Sequence, residues 1–468
     1  MTNDGMNMKT RNLLAILSAT ALVSSCGLYN KYERPDVNVM GLVRDTASVA
    51  DTLAVSDTAS FGNLPWRSVF TDPQLQTLIE TGLAHNTDLL NAALNVKMIE
   101  SQLISAKLAF LPAVTFSPQG ALSSWNGQKP SKTYQLPVTA SWSVDIFGKL
   151  LSVKRGAQMQ LLGMRDYQTA VKTSVISGIA NMYYTLLMLD RQQEIVEEMA
   201  GLTKETWDMM KLQMQLGRAR STSVQSAEAG YYQVMAQAAD IKRQIRETEN
   251  SLSLLLGQPG QAIARGRLED QSLPSEFSTG VSLQLLNNRA DVHYAEMQLA
   301  ACFHDVQTAR SRFYPGITIS GTGAFTNSSG AGIVNPGKWL LSAVGSLTQP
   351  IFQNGVLIAG LKVAKAKEEQ AYNNWQNAIF KAGNEVSNAL VAYNSSAEKA
   401  GYEAKQVELY KKTVEDTKQL YTSSGATYLE VISAQSNLLN AEISKVTDEL
   451  SKMQAVVSLY TALGGGRD

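Results

Sequence analysis

Ala106-Lys107-Leu108-Ala109-Phe110-Leu111-Pro112 and, about 200 residues further on, Ala309-Arg310-Ser311-Arg312-Phe313-Tyr314-Pro315 close two helical patterns in the same way, with an aromatic and then a proline. Alternating sequence follows both. Reading outward, Ile146-Phe147-Gly148 answers Ile351-Phe352-Gln353-Asn354-Gly355, and Leu216-Gly217-Arg218-Ala219 answers Ser424-Gly425-Ala426-Thr427. Val224-Gln225-Ser226-Ala227 answers Val431-Ile432-Ser433-Ala434, and Leu256-Gly257 answers Leu463-Gly464. Five matches in one order, at an offset near 205 residues, mark an internal duplication.

Proline placement divides each copy into two kinds of structure, because proline breaks helix interiors and sits at strand edges and turns. No proline occurs between Pro137 and Pro259 or after Pro350. Each gap can hold two very long helices. Within the first, Val224, Ala227, Tyr231, Val234, Ala238, Ile241, Ile245, Thr248, Leu252 and Leu255 alternate spacings of three and four, the seam of a coiled coil. In the second, Leu429, Ile432, Ser436, Leu439, Ile443, Val446, Leu450, Met453, Val457 and Tyr460 repeat the spacing, about two residues out of phase with the first. Glycine-centred turns at Gly217 and Gly425 join each seam to the helix before it, so each copy holds an antiparallel helical hairpin. An unbroken helix from Lys149 to Leu216 would approach 100 Å at about 1.5 Å per residue.

Between the helices lie four strand segments: Ala113 to Ser124, Thr133 to Phe147, Gly316 to Asn327 and Trp339 to Phe352. Runs such as Ile317-Thr318-Ile319-Ser320 alternate, and the pairs flank polar loops, which predicts two β-hairpins. The strands are long enough to cross a bilayer when tilted, and Trp125, Tyr134, Trp142, Phe147, Tyr314 and Trp339 stand near their ends. The rim of a soluble β-sandwich is the competing reading. An open sheet edge in lipid leaves backbone groups unpaired at several kcal/mol each, and four strands cannot close on themselves. Two chains would pool enough strands for a tight, filled barrel; three would enclose a lumen.

The chain has 468 residues with 41 Lys+Arg against 41 Asp+Glu. With no basic excess there is no electrostatic case for nucleic acid as a partner. Lys9 and Arg11 precede an apolar stretch, Leu13 to Val23, too short to span a bilayer but suited to an export signal. It ends in Val23-Ser24-Ser25-Cys26-Gly27, which resembles the lipobox of bacterial lipoproteins, with Cys26 the acylated residue; an ordinary signal peptide with an incidental cysteine is the alternative. Gly27 and Leu28 do not resemble the aspartate that retains enteric lipoproteins at the inner membrane, which favours the outer one. The expected division is residues 1–25 as signal peptide, 26–61 as extended leader, 62–265 as first repeat and 266–468 as second.

Enzymatic readings find little support. His293 and Glu296 stand three apart on a helical pattern with His304 beyond them, but a chain with 3 His supplies no further ligand nearby. Gly321-Thr322-Gly323 lies in a strand pattern and lacks the helix that a phosphate cradle needs. Cys302 has neither a resolving cysteine nor an evident base. No catalytic residue, cofactor or metal ligand is assigned.

Taken together, these features resemble the TolC-type outer-membrane factors, in particular the acylated branch that serves tripartite efflux pumps. The resemblance spans nearly all of the mature chain and is carried by Tyr32-Glu33-Arg34-Pro35, Trp66-Arg67-Ser68-Val69-Phe70, Asp72-Pro73-Gln74-Leu75, His85-Asn86-Thr87-Asp88-Leu89 and Ala434-Gln435. Asn288-Arg289-Ala290-Asp291-Val292 belongs with them, with Ala290 where the family usually has proline. It implies a mainly α, internally duplicated chain whose helical hairpins form an α-barrel and whose four strands enter a shared trimeric β-barrel. It further implies a homotrimer in outer-membrane lipid, a periplasmic adaptor and an inner-membrane RND-type transporter. By the same resemblance Gly217, Arg218, Ala219, Ser424, Gly425 and Ala426 form adaptor-contacting tips, and Glu430 and Ser433 occupy the positions of a periplasmic gate, where family members often carry two acids. The function so implied is a passive exit channel; a periplasmic coiled-coil or adaptor lipoprotein without a pore is the alternative.

Overall fold

The computed structural model describes residues 31–36, 61–124, 126–272, 274, 289–326, 338–423 and 425–467. In chain order the elements are α1 (Trp66–Val69), α2 (Pro73–His85), α3 (Thr87–Leu108), β1 (Ala113–Phe116), β2 (Gln119–Ser123), β3 (Ser131–Val144), α4 (Lys149–Gln215) and α5 (Ser221–Leu255). There follow α6 (Ala290–Ser311), β4 (Gly316–Thr326), β5 (Lys338–Thr348), α7 (Val356–Thr422) and α8 (Tyr428–Ala462). The proline-free gaps are filled as the sequence predicts. Helices α4 and α7 both have 67 residues, α5 and α8 both have 35, and α3 and α6 both have 22.

Helix ends are fixed by local chemistry. Asp72 caps α2, its Oδ1 accepting from Gln74 N at 2.8 Å, with Pro73 in the first turn where a missing N–H costs nothing. Asp145 accepts from Leu150 N at 3.0 Å and Leu151 N at 2.8 Å, so the chain turns from strand into α4 there. The second strand therefore stops at Val144 rather than at Phe147; the fourth stops at Thr348 rather than at Phe352.

The strands form one antiparallel sheet, not two separate hairpins: β3 pairs with β4 over ten residues from Gln135↔Thr326 to Val144↔Ile317. Strands β1 and β2 both pair with β3, and their register continues across the gap from Phe116↔Val138 to Gln119↔Gln135. They are one track interrupted at Ser117-Pro118, because Pro118 has no N–H for the ladder. The sheet thus has four tracks, with β1–β2 at one edge and β5 at the other.

The described chain separates into two compact units. One takes in the leader residues, Asn95–Arg165 and Tyr294–Gln376, and so contains the sheet. There the leader is pinned to α6: the Arg34 guanidinium pairs with the Glu296 carboxylate (Nε to Oε1, 2.7 Å) and Tyr32 meets Phe303 edge-on at 5.9 Å. The other takes in Asn38–Leu94, Asp166–His293 and Asn377–Asp468. Its core packs Trp66, Phe70, Leu75 and Ile79 against Ile176, Ile179, Tyr183 and Tyr184 of α4 and Tyr460 of α8. Along α5 the predicted seam is buried at Val224, Ala227, Val234, Ala238, Ile241 and Leu252.

The seam of α8 needs a correction. Near its start the buried residues are Val431, Ala434 and Leu438, whereas Leu429 is 63% exposed and Ser436 is exposed. This phase equals that of Val224 and Ala227. The expected residues Leu439, Val446, Leu450 and Val457 are buried too, so α8 buries two flanks, and the spacing rule had traced the second.

Candidate functional site: a two-faced sheet and two helical tips

In an antiparallel ladder, residues directly opposite share a face and successive residues alternate. Applied to the registers, this rule largely separates the side chains by chemistry, with Lys132 the exception on the mainly apolar face and Leu340 and Val344 of β5 the exceptions on the mainly hydroxyl face. One face carries Val114, Phe116 and Leu122; Leu136, Val138 and Trp142; Ile317, Ile319 and Phe325; and Leu341 and Leu347. Many are exposed: Leu341 is 83% accessible and Leu122 72%. The opposite face carries Thr115, Thr133, Thr139, Ser141, Thr318, Ser320, Thr322 and Ser342, with Thr139 and Thr322 joined Oγ1 to Oγ1 at 3.0 Å. Aromatic residues mark both ends of the strands: Tyr134 and Phe325 near the loops, Trp142 and the stacked Phe147–Tyr314 pair near the helices. A sheet with one apolar face, one hydroxyl face and two unpaired edges suits a wall between lipid and water that continues into other copies. Trp125 of the expected aromatic set lies outside the described residues, as does the side chain of Trp339.

The first tip is built by backbone geometry. Helix α4 ends in a motif in which Arg218 N donates to Gln213 O at 2.8 Å and Gly217 N to Met214 O at 3.0 Å, with Gly217 at φ +72°. A side chain there would be strained, whereas Gly217 adopts the left-handed region freely. Gly217 and Arg218 are exposed and Ala219 half-buried. At the second tip Gly425 N donates to Leu420 O at 2.8 Å, Gly425 is exposed and Ala426 half-buried, while Ser424 lies outside the described residues.

Glu430 has a local partner that the sequence reading missed. Thr427 and Glu430 form a capping box at the start of α8: Thr427 N donates to Glu430 Oε2 at 2.6 Å, and Glu430 N to Thr427 Oγ1 at 3.4 Å. The backbone N–H and then the hydroxyl of Thr427 hold its carboxyl below the ordinary glutamate range. The Thr-x-x-Glu spacing was the signal that could have revealed it. Ser433 is exposed one turn further along α8.

Just above the tips, contacts tie the second hairpin to α4. Lys418 Nζ donates to Glu205 Oε2 at 2.8 Å, Tyr421 OH to Met210 Sδ at 3.6 Å, and Gln435 Nε2 to Thr206 Oγ1 at 3.0 Å. Beside Gln435 a cavity of about 190 Å³ opens between α4, α5 and α8, lined by Thr203, Thr206, Gln233, Gln237, Gln435 and Asn440 among others.

The candidates for chemistry are not brought together. His293 Nδ1 is 2.6 Å from Asp166 Oδ2, whereas Glu296 pairs with Arg34. Burial, then the charge of Arg155, pushes His304 down to about 4. Burial also raises the Cys302 thiol, with Asp305 and Glu368 adding to it, which disfavours the thiolate a nucleophile needs. Among the described residues no group of three or more His, Cys, Asp or Glu is placed to hold a metal ion, and no helix is long and apolar enough to cross a membrane. Cys26 lies outside the described residues.

Comparison with known proteins agrees with this geometry. The family model described as outer membrane efflux protein matches residues 78–258 and 281–465. The cation efflux system protein CusC of Escherichia coli (strain K12) is 26% identical over 465 residues, covering 98% of this chain and 100% of its own. The probable outer membrane lipoprotein SilC of Salmonella typhimurium is 25% identical, with 97% and 98% covered. The crystal structure of the open state of the Neisseria gonorrhoeae MtrE outer membrane channel superposes with a TM-score of 0.80 at 23% identity, over 94% of this chain and 98% of that one. With both long halves matched and the sheet and hairpins in place, the chain belongs to the outer membrane efflux protein family.

Proposed function

We propose that three copies of this chain form a passive exit duct for a tripartite efflux system, receiving solute from a periplasmic adaptor and an RND-type inner-membrane transporter and releasing it outside the cell. The observation that carries this reading is the sheet: four tracks, apolar on one face, with two edges that only further copies can pair. Three copies supply twelve tracks, enough for a lumen. In this proposal the energy comes from the transporter. The equal lengths of α4 and α7, and of α5 and α8, support a mature chain of two copies of one plan, residues 62–265 and 266–468, behind a signal peptide (1–25) and a leader (26–61) acylated at Cys26. The name of SilC, a probable outer membrane lipoprotein, supports that acylation.

In this proposal Gly217, Arg218 and Ala219 with Ser424, Gly425 and Ala426 meet the adaptor. Exposure of the first turn and the absence of any heavy atom within 4 Å of a side chain built on Gly217 support close approach by a partner helix. Glu430 with Ser433 faces the gate, one carboxylate per protomer, while also capping α8. The contacts Lys418–Glu205 and Gln435–Thr206 would hold the closed tip.

The test is reconstitution. Purified chain is expected to run as an oligomer that heating dissociates, and to give single-channel steps in planar bilayers. A monomer that never conducts would overturn the proposal and favour the coiled-coil or adaptor lipoprotein, which would leave the apolar sheet face without a covering.

A further inference from the structure

The hydroxyl face of the sheet has a second property. Among the described strands no acidic residue occurs, and of the two basic ones Lys132 in β3 stands opposite Leu122 on the other face, which leaves Lys338 of β5, at the loop end, as the basic strand residue on this one. The middle of that face is a ladder of Thr139 with Thr322, Ser141 with Ser320 and Ser143 with Thr318. Ser320 stands six residues along β4 from Thr326, the partner of Lys338. At about 3.3 Å per residue this is about 20 Å, about two screening lengths at 0.1 M salt. The field of a charge carried at that register is therefore largely lost at that depth.

A passage wall without fixed charge neither concentrates nor repels ions. Hydroxyls offer lone pairs to cations and O–H groups to anions, so they replace part of either hydration shell. We infer that the strand-built length of the passage is a bore without fixed charge in its middle, lined by the hydroxyls of β3 and β4 beside Leu340 and Val344 of β5, that admits cationic, anionic and zwitterionic solutes alike. Discrimination by charge then belongs to the helical end of this chain or to its partners. This inference rests on the trimeric channel proposed above and specifies its substrate range in the strand region.

The experiment uses full-length protein in lipid vesicles on a Cys302→Ser background, with Ser320→Cys and Ile319→Cys compared. These adjacent residues lie on opposite faces. Each is treated with a cationic and an anionic methanethiosulfonate reagent, and rates are normalised to a free thiol in the same buffer. Ser320→Cys is expected to react with both at normalised rates within about threefold of each other, and Ile319→Cys with neither. A rate ratio above about tenfold at Ser320→Cys, in protein that conducts, would overturn the neutral bore and leave the channel standing. Equal reactivity at both positions would remove the lipid-embedded barrel, and with it the proposed channel. As a positive control Ser320→Asp, one carboxylate per protomer, is expected to shift the reversal potential in a salt gradient towards the cation; no shift would show that this face does not line the path and would overturn the inference.

Discussion

Gln435 on α8 donates from Nε2 to Thr206 Oγ1 on α4 across 3.0 Å, and both residues are 2% exposed. Thr206 passes the bond on to Leu202 O at 3.0 Å, whereas Gln435 Oε1 is buried without a partner. An unsatisfied buried acceptor costs about 1–3 kcal/mol, which the amide's bond to Thr206 and its longer bond to Leu202 O at 3.4 Å, each worth about 1 kcal/mol net or less, do no more than balance. Gln435→Leu removes the orphan acceptor with little change in volume and leaves Thr206 bonded to its own helix. It is expected to change stability by less than about 1 kcal/mol, or to raise it, whereas Gln435→Ala leaves a void and is expected to cost about 2 kcal/mol. Urea unfolding in detergent checks both. Gln435→Leu losing as much as Gln435→Ala would mean that the amide is better satisfied than its contacts indicate.

Glu430 is asked to do two things, and two substitutions separate them. Glu430→Gln keeps a side-chain oxygen for the Thr427 N–H but loses the charge; Glu430→Ala loses both. If the carboxylates form a gate ring, both variants are expected to weaken channel block by multivalent cations several-fold. If Glu430 serves only the helix, block is unchanged in both and only Glu430→Ala lowers stability. Because Thr427 holds the carboxyl below its usual 4.5, the block is expected to persist as pH falls and to fade only below about that value. Block that fades near pH 6 would point to another group.

The architecture was legible because its signals are long-range and redundant: proline-free gaps, paired motifs and alternating strands all constrain the same arrangement. What the sequence did not show depends on single side chains acting locally. Asp145 could be read as a strand residue until its carboxylate was seen capping α4. Pro118 interrupts the first strand without disturbing its register, which periodicity cannot register. The seam of α8 was traced on the wrong flank near the tip because Leu429, Ile432 and Ser436 keep heptad spacing as well as Val431, Ala434 and Leu438 do, and only the neighbours decide which side is covered.

Gly257 follows α5 at φ +68°, and a side chain built there would collide with the carbonyl of His85. Two effects add at this position: left-handed backbone, which costs a non-glycine residue about 1 kcal/mol, and a clash with backbone that cannot rotate away. Gly257→Ala is expected to lower stability by more than about 2 kcal/mol, with Gly217→Ala, whose surroundings are open, costing about 1 kcal/mol. Thermal unfolding of the two variants side by side checks the order. Equal losses would mean that the α2–α5 junction yields by moving.

Glu403 and Asp448 bring two carboxyls together between α7 and α8. Burial, then the hydrogen bond and charge of Asp448, push Glu403 up to about 7, against the pull of Lys399. Asp448 is held low by its bond to Glu403 and by Lys399, whose Nζ is 3.3 Å away. Glu449 is the other acid bearing on the pair. A raised acid binds its proton more tightly in the folded chain than in the unfolded one, so its contribution is complete below about 4.5 and is lost as pH rises through about 7. Melting temperature is therefore expected to fall between pH 6 and pH 8, and Glu403→Gln, an amide in place of the neutral acid, is expected to flatten that slope and be the more stable form at pH 8. Asp448→Asn removes the charge that opposes ionisation of Glu403 and leaves that carboxylate facing Lys399, so it is also expected to flatten the slope. A wild-type slope that survives Glu403→Gln would place the titrating group elsewhere.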